Sequence, residues 1–294
     1  MTGSVSGRRP LRLVSWNILA APWAGPQWYP RDMDRAVLDR VGRRARIAAA
    51  IQSLGPDLCC LQEATPADLD VIRCGLGDRW QAHFASNGPS LWSNWGSPEI
   101  EWEPNGTAIV WDADRITCLE QGTIDLGPHG NVATWAQLCD TSAAREAIVV
   151  SLHLDSDDPD RRRAELVPLF AAIDDAAPDG VAVVIAGDYN EDTIDAGASS
   201  GSFGGEFFDR GFDDALARLG RHDPTHAYAR PGDDWAALAT IDHVMVRGVA
   251  ATDGRVVDAG LWDIESAATR MEACLRRTGS DHLALYIDLD TSTT

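Results

Sequence analysis

At 294 residues, 45% of them hydrophobic, the chain is long enough for one large α/β or all-β domain, or two small ones, and can fill a proper core. Its formal net charge is -20 and it contains no lysine. Tight sequence-independent binding to a nucleic-acid duplex needs many Lys/Arg contacts to phosphate, so this balance argues against it and leaves only a local arginine patch open.

The opening "MTGSVSGRRPLRLVSWN" has an Arg pair without the apolar stretch of a secretory leader, and no run approaches the roughly 18 apolar residues of a membrane span. The expectation is a soluble, cytoplasmic, monomeric protein with a flexible lead over 1–10 and a single domain over 11–290. Strand composition recurs at 11–18, 57–62, 80–85, 107–111, 132–138, 147–153, 181–187, 241–246 and 283–289. Helical spacing is found at 35–53, 159–176 and 263–277, with shorter pieces near 66–73 and 213–219. Asp158 is an expected N-cap, with Pro159 at the first helical position. Many strands with a few interposed helices predict an α/β sandwich of two packed sheets with helices outside.

The cysteines at 59, 60, 74, 118, 139 and 274 have no C-x-x-C spacing, which predicts buried reduced thiols rather than bridges or a zinc site.

Chemistry gathers where the strands end. "LVSWNILA" brings out Asn17, "LCCLQEAT" Glu63 and "VVSLHLDS" His153; "VIAGDYNED" presents Asp188 and Asn190, "TIDHVMV" Asp242, and "GSDHLALYI" Asp281 and His282. Each alone reads as an ordinary turn or solvated residue. In order, at the ends of apolar strands, they form a set that chance does not readily supply.

That order resembles the endonuclease/exonuclease/phosphatase superfamily of metal-dependent phosphoesterases, over nearly the whole chain from Trp16 to Leu285. "SWNILA", the loop "WAGPQWYPRD", an Arg-bearing helix and "PDLCCLQE" look most like its deadenylase and nocturnin branch, whereas "SLHLDS" leans toward the tyrosyl-DNA phosphodiesterases. The resemblance implies a DNase I-like four-layer sandwich with mostly antiparallel sheets, and hydrolysis of a phosphate ester.

Such hydrolysis requires neutralised phosphoryl oxygens, a water in line with the leaving oxygen, and stabilisation of charge on the leaving group. A hard cation bound through oxygen does much of this, so Mg²⁺, with Mn²⁺ as substitute, is expected. Glu63 is the first choice as ligand, with Asn17 and Asp281 beside it, as the resemblance also implies. On an extended segment, Asp188 and Asn190 would aim a carboxylate and an amide into one cavity. The family's pattern makes Asp188 the acceptor of a proton from water and Asn190 a donor to phosphate. Asp242 is suited to orient His282 toward the phosphate, and His153, by its place in the resemblance, donates from another side.

Other residues carry less. "DSDDPD" at 155–160 lacks the glycine and distal Glu of a calcium loop and reads as a helix cap. His222 and His226 flank "DPT" in a polar loop, where they read as solvated residues with contact to substrate as the alternative, and His243 should point away from Asp242 on a strand. Trp92 and Trp95 are candidates for stacking on a base or ring, and Arg276 or Arg277 for reaching substrate phosphate. The function expected is a phosphodiesterase of a nucleic-acid end or nucleotide. The alternatives are a phosphatase or phosphodiesterase of a small phosphorylated sugar, inositol or lipid headgroup, and an inactive binding scaffold, against which the intact residue set argues.

Overall fold

The computed structural model describes residues 8–88, 103–177, 180–192, 202–229, 236–258 and 260–291. In chain order the elements are β1 (Leu11–Asn17), α1 (Arg40–Leu54), β2 (Leu58–Ala64), α2 (Pro66–Leu76), β3 (Trp80–Ser86), β4 (Gly106–Asp112), β5 (Ile116–Asp125), β6 (Val132–Asp140) and β7 (Arg145–His153). There follow α3 (Pro159–Ala176), β8 (Ala182–Asp188), α4 (Phe203–Phe208), β9 (Asp213–Asp214), α5 (Ala215–Arg218), β10 (His226–Ala229), β11 (Ala236–Ala239), β12 (Asp242–Arg247), β13 (Ala250–Val256), α6 (Ala267–Thr278) and β14 (Leu285–Asp290).

Two six-stranded sheets form, in the orders β13-β14-β1-β2-β4-β3 and β5-β6-β7-β8-β12-β9, beside a β10-β11 hairpin. Only the β1/β2 and β7/β8 neighbours are parallel; the other pairs run antiparallel. Apolar side chains of both inner faces meet in one core, including Leu13, Leu58 and Ile109 against Val149, Val184 and Val244. The outer face of the first sheet is covered by Ile47 and Ile51 of α1 and Ile72 of α2. That of the second is covered by Leu169 and Phe170 of α3 and Phe207 of α4. This is the expected four-layer sandwich, since each sheet must bury both faces. No helix among the described residues is long and apolar enough to cross a membrane.

Local chemistry sets the helix ends. Asp158 accepts from the N–H groups of Asp160 and Arg161 ahead of Pro159, as expected. Thr65 and Asp68 form a reciprocal capping box on α2. The helix expected over 35–53 is interrupted: a short 3-10 turn at Arg35–Leu38 ends at Asp39, whose carboxylate takes the Gly42 N–H and starts α1. The helix expected near 213–219 shrinks to α5 because Asp213 and Asp214 pair with β12 instead. Strands β5 and β13 were not anticipated. Both border a sheet, and their largely exposed faces weaken the alternation that marks a strand in sequence.

Ahead of β1, Arg9 pairs with Asp57 and its carbonyl accepts from Arg115 at 2.9 Å; residues 1–7 lie outside the described ones. All six cysteines are free, but only Cys59, Cys60 and Cys274 are buried; Cys74 is exposed and Cys118 and Cys139 are intermediate. The expectation of buried thiols therefore fails for half of them: Cys74 lies on α2, Cys118 on the edge strand β5, and Cys139 near the end of its neighbour β6.

Candidate active site

Because β1 runs parallel to β2, and β7 to β8, both pairs deliver their C-terminal residues to one edge of the sandwich. Asn17, Glu63, His153 and Asp188 stand at or next to those four ends. Antiparallel β12 and β14 enter at the same edge, so Asp242 opens β12 directly opposite Asp188, and Asp281 and His282 precede β14.

Asn17 joins the two sheets. Its amide Nδ2 donates to Glu63 Oε1 and to Asp188 Oδ2, each at 3.0 Å. Its Oδ1 accepts from the Leu19 N–H at 3.0 Å. Through these bonds Asn17 braces both Glu63 and Asp188 beside the expected metal position. Glu63 Oε2 accepts from Ala20 N at 2.7 Å.

Glu63 lies where the β2/β4 register slips, at φ 54°. Four non-glycine residues among those described have positive φ, and three of them, Leu19, Glu63 and Asn190, adjoin these strand ends. Left-handed backbone costs on the order of 1–3 kcal/mol at such residues and persists only where surrounding contacts over-determine it. The bulge turns the Glu63 carboxylate out of the ladder toward Asn17.

Asp188 is 1% exposed. Its Oδ2 lies 3.6 Å from both His153 Nε2 and His282 Nε2, and its Oδ1 accepts from Asn190 N at 2.9 Å. Burial alone would raise this carboxyl, but the two imidazoles and the Asn17 and Asn190 N–H groups lower it overall, so it is ionised. His282 Nδ1 meets Asp242 Oδ2 at 2.9 Å. Burial opposes its charge, yet Asp242, Asp188 and Asp281 push the imidazole up to about 10. Asp281 resists burial in the same way and is held well below the usual carboxylate range by His226 and His282.

The D-x-N pair is built differently from the extended arrangement expected. The strand ends at Asp188, the chain turns left-handed at Asn190, and the Asn190 amide donates to Leu154 O at 2.9 Å. An Asx-type turn wins because the Asp188 carboxylate captures the Asn190 N–H. From α3, Arg162 donates to Asp155 O and Glu191 Oε2, both at 3.1 Å, while Glu165 accepts from Asp155 N at 2.8 Å. These bonds tie the segments that follow His153 and Asn190 to one helix.

Three contributors stand out only in the structure. Tyr29 donates its hydroxyl to Asp281 Oδ2 at 3.1 Å. Buried Arg43 donates to Gly279 O at 2.6 Å and to Ile18 O at 2.9 Å, and also to Leu19 O, clamping the segment after β1 to the one before His282. His226, expected in a solvated loop, is buried with its ring stacked on His282. The strand-like run "THAYA" was the available signal for it.

His243 points away from the site as expected, its Nδ1 at 2.8 Å from Asp214. "DSDDPD" is a cap: Asp155 Oδ1 accepts from Asp157 N at 3.0 Å and Asp158 N at 2.9 Å. Arg276 is paired at the surface with Asp34 at 2.9 Å and Glu272 at 2.8 Å. Glu272 is one turn earlier on α6, and Asp34 caps the short 3-10 turn at Arg35–Leu38. Arg277 lies beside Gly260, and Trp92 and Trp95 fall outside the described residues.

The donor set fits a hard divalent cation. Glu63 and Asp281 offer carboxylate oxygens, and Asp281 Oδ1 and Asp242 Oδ1 are buried without a hydrogen-bond partner among the described residues. Two groups bring ligand-type atoms within 4.8 Å of one another, His226/Asp281/His282 and Asp188/Asp242/His282; Glu63 is in neither.

Solved structures share this architecture. The human Nocturnin catalytic domain with bound sulfate is 19% identical, covering 97% of this chain and 96% of that one at a TM-score of 0.66. ANGEL2, a 2',3'-cyclic phosphatase, is 14% identical over 99% and 100% at 0.68. D. rerio TDP2 complexed with single-strand DNA product is 18% identical over 95% and 98% at 0.63. At these identities the likeness is one of fold, and no curated protein matches the chain. Over residues 14–282, which carry every strand-end residue described above, the sequence matches the Endonuclease/Exonuclease/phosphatase family, and the chain belongs to that family of phosphoester hydrolases.

Proposed function

We propose that the protein hydrolyses a phosphodiester bond by in-line attack of water, with Mg²⁺ as its metal, Mn²⁺ as substitute, and a nucleic-acid end or a nucleotide as substrate. The observation that carries this reading is the buried, ionised Asp188 carboxylate set 3.6 Å from two imidazoles, one of which is held by a second carboxylate. An ionised Asp188 accepts a proton from the attacking water. His282, charged up to about pH 10 and fixed by Asp242, donates to a phosphoryl oxygen. His153, whose Nε2 stands at the same distance from Asp188 Oδ2 as that of His282, also donates to the phosphate, as does the Asn190 amide N–H not taken by Leu154 O. Glu63 and Asp281 would hold the metal, with Asn17 bracing Glu63. The bound ion supplies neutralisation of phosphate charge and orientation of the substrate.

TDP2 solved with a single-strand DNA product and ANGEL2 described as a 2',3'-cyclic phosphatase support a substrate of this class. The net charge of -20 favours a second reading, a small phosphorylated sugar, inositol or lipid headgroup, because it repels a polyanion. A panel of single-stranded RNA and DNA, 5′-tyrosyl DNA, cyclic and linear nucleotides, inositol phosphates and sphingomyelin, each with Mg²⁺, decides between them. Turnover confined to the sugar, inositol or lipid substrates would replace the first reading with the second, and no turnover on any member would reject both.

A further inference from the structure

The side chain of His226 is set by its backbone. Leu283 N donates to Thr225 O at 2.7 Å and Ala227 N to Asp281 O at 3.4 Å, which makes His226 and His282 directly opposed partners in an isolated antiparallel bridge. The two hydrogen bonds flank this pair without joining it, the arrangement in which opposed side chains approach most closely and share a face. The rings accordingly stack, with centroids 4.2 Å apart and planes 21° from parallel.

The residue before it anchors the same unit to β12. Thr225 Oγ1 accepts from Ile241 N and Asp242 N, each at 3.1 Å. One dipeptide therefore touches both strands that present the Asp242–His282 pair. From its stacked position His226 also turns Nε2 toward Asp281 Oδ2, at an ion-pair separation of 3.8 Å. Partly buried Asp281 receives the Tyr29 hydroxyl on that same oxygen, leaving Oδ1 without a partner among the described residues.

We infer that His226 is a positioning residue with two separable duties, and this rests on the phosphoesterase reading above. Its ring face holds the His282 imidazole in the plane that lets Nδ1 bond Asp242 while Nε2 faces Asp188. Its Nε2 orients the Asp281 carboxylate as a metal ligand, the kind of outer partner whose loss costs roughly 10–100-fold in metal affinity or activity.

Two substitutions divide the duties. His226→Phe keeps a planar ring and removes the nitrogen; His226→Gln keeps a polar donor and removes the ring. The measurements are kcat and KM on bis(4-nitrophenyl) phosphate with Mg²⁺, Mn²⁺ affinity by electron paramagnetic resonance without substrate, and Tm. For the Phe variant, Mn²⁺ affinity should fall about tenfold, and the kcat reached at saturating Mg²⁺ should remain above that of the Gln variant. For the Gln variant, kcat should fall about tenfold or more with Mn²⁺ affinity and KM nearly unchanged. Wild-type values throughout for both variants, or equal losses that simply follow a lowered Tm, would overturn the inference. If wild-type protein cleaves no phosphodiester while the Mn²⁺ titration still separates Phe from Gln, the functional reading fails and the Asp281 duty stands.

Discussion

Asp188 and Asp242 face each other across the β8/β12 ladder, and the His282 ring sits between their carboxylates, 2.9 Å from Asp242 and 3.6 Å from Asp188. One imidazole thus links the carboxylate proposed to activate water to the carboxylate that orients the ring. Asp188→Asn and His282→Ala should each lower turnover by at least about 10², with Tm close to wild type. Near-wild-type turnover in either variant removes that residue from the chemistry.

Glu63 is the carboxylate for which the β2 backbone adopts a left-handed conformation. Activity should vanish with EDTA and return with Mg²⁺ or Mn²⁺, and Glu63→Gln should raise the metal concentration needed for half activity while Tm changes little. Full activity in chelator would end the metal-assisted reading.

Gly187 lies in β8 immediately before Asp188, and a Cβ there would come within 2.0 Å of Leu152 O on β7. The β7 and β8 backbones must separate to admit a methyl group. Gly187→Ala should therefore destabilise the fold by about 1–3 kcal/mol and, by shifting His153 relative to Asp188, reduce turnover. Urea unfolding and kinetics on the same sample test this; an unchanged midpoint would show that the sheet yields without cost.

His243 is buried against Asp214, and although burial opposes its charge, that carboxylate raises its pKa above 6.5. A raised folded-state value means that the pair contributes fully below about pH 6.5 and loses its contribution as pH climbs through the folded value. The stability gap between wild type and His243→Gln should be widest near pH 6 and narrow with rising pH. Denaturant midpoints measured across that range check it, and a gap that widens with pH contradicts the assignment.

The strand ends were legible because an apolar run that halts at Asn17, Glu63 or Asp188, or begins just after His282, changes character within one or two residues. The α3 cap was equally plain, since Asp158 and Pro159 act on their immediate neighbours. Strands β5 and β13 were not legible: each lies at or near a sheet border with much of its length exposed, so its sequence is not obliged to alternate. Asp39 and Asp214 likewise broke helices that spacing alone had made continuous.

By itself the sequence determined the family, through its likeness to that family's motifs, and the sandwich class and the strand-end residues, because the last two follow from apolar periodicity and from polar residues placed where it stops. Tertiary structure decided how those residues are used. Asn17 and Asp188 are 171 positions apart, and His282 and Asp242 are 40 apart, so which oxygen meets which nitrogen depends on how two sheets stack and not on local spacing. The same holds for His226, a loop histidine by its neighbours in sequence and a stacked partner of His282 by its neighbours in space. Arg276 makes the converse case: beside the final motif in the chain, it is drawn to Asp34 because surface charges pair with whatever opposite charge folding brings near.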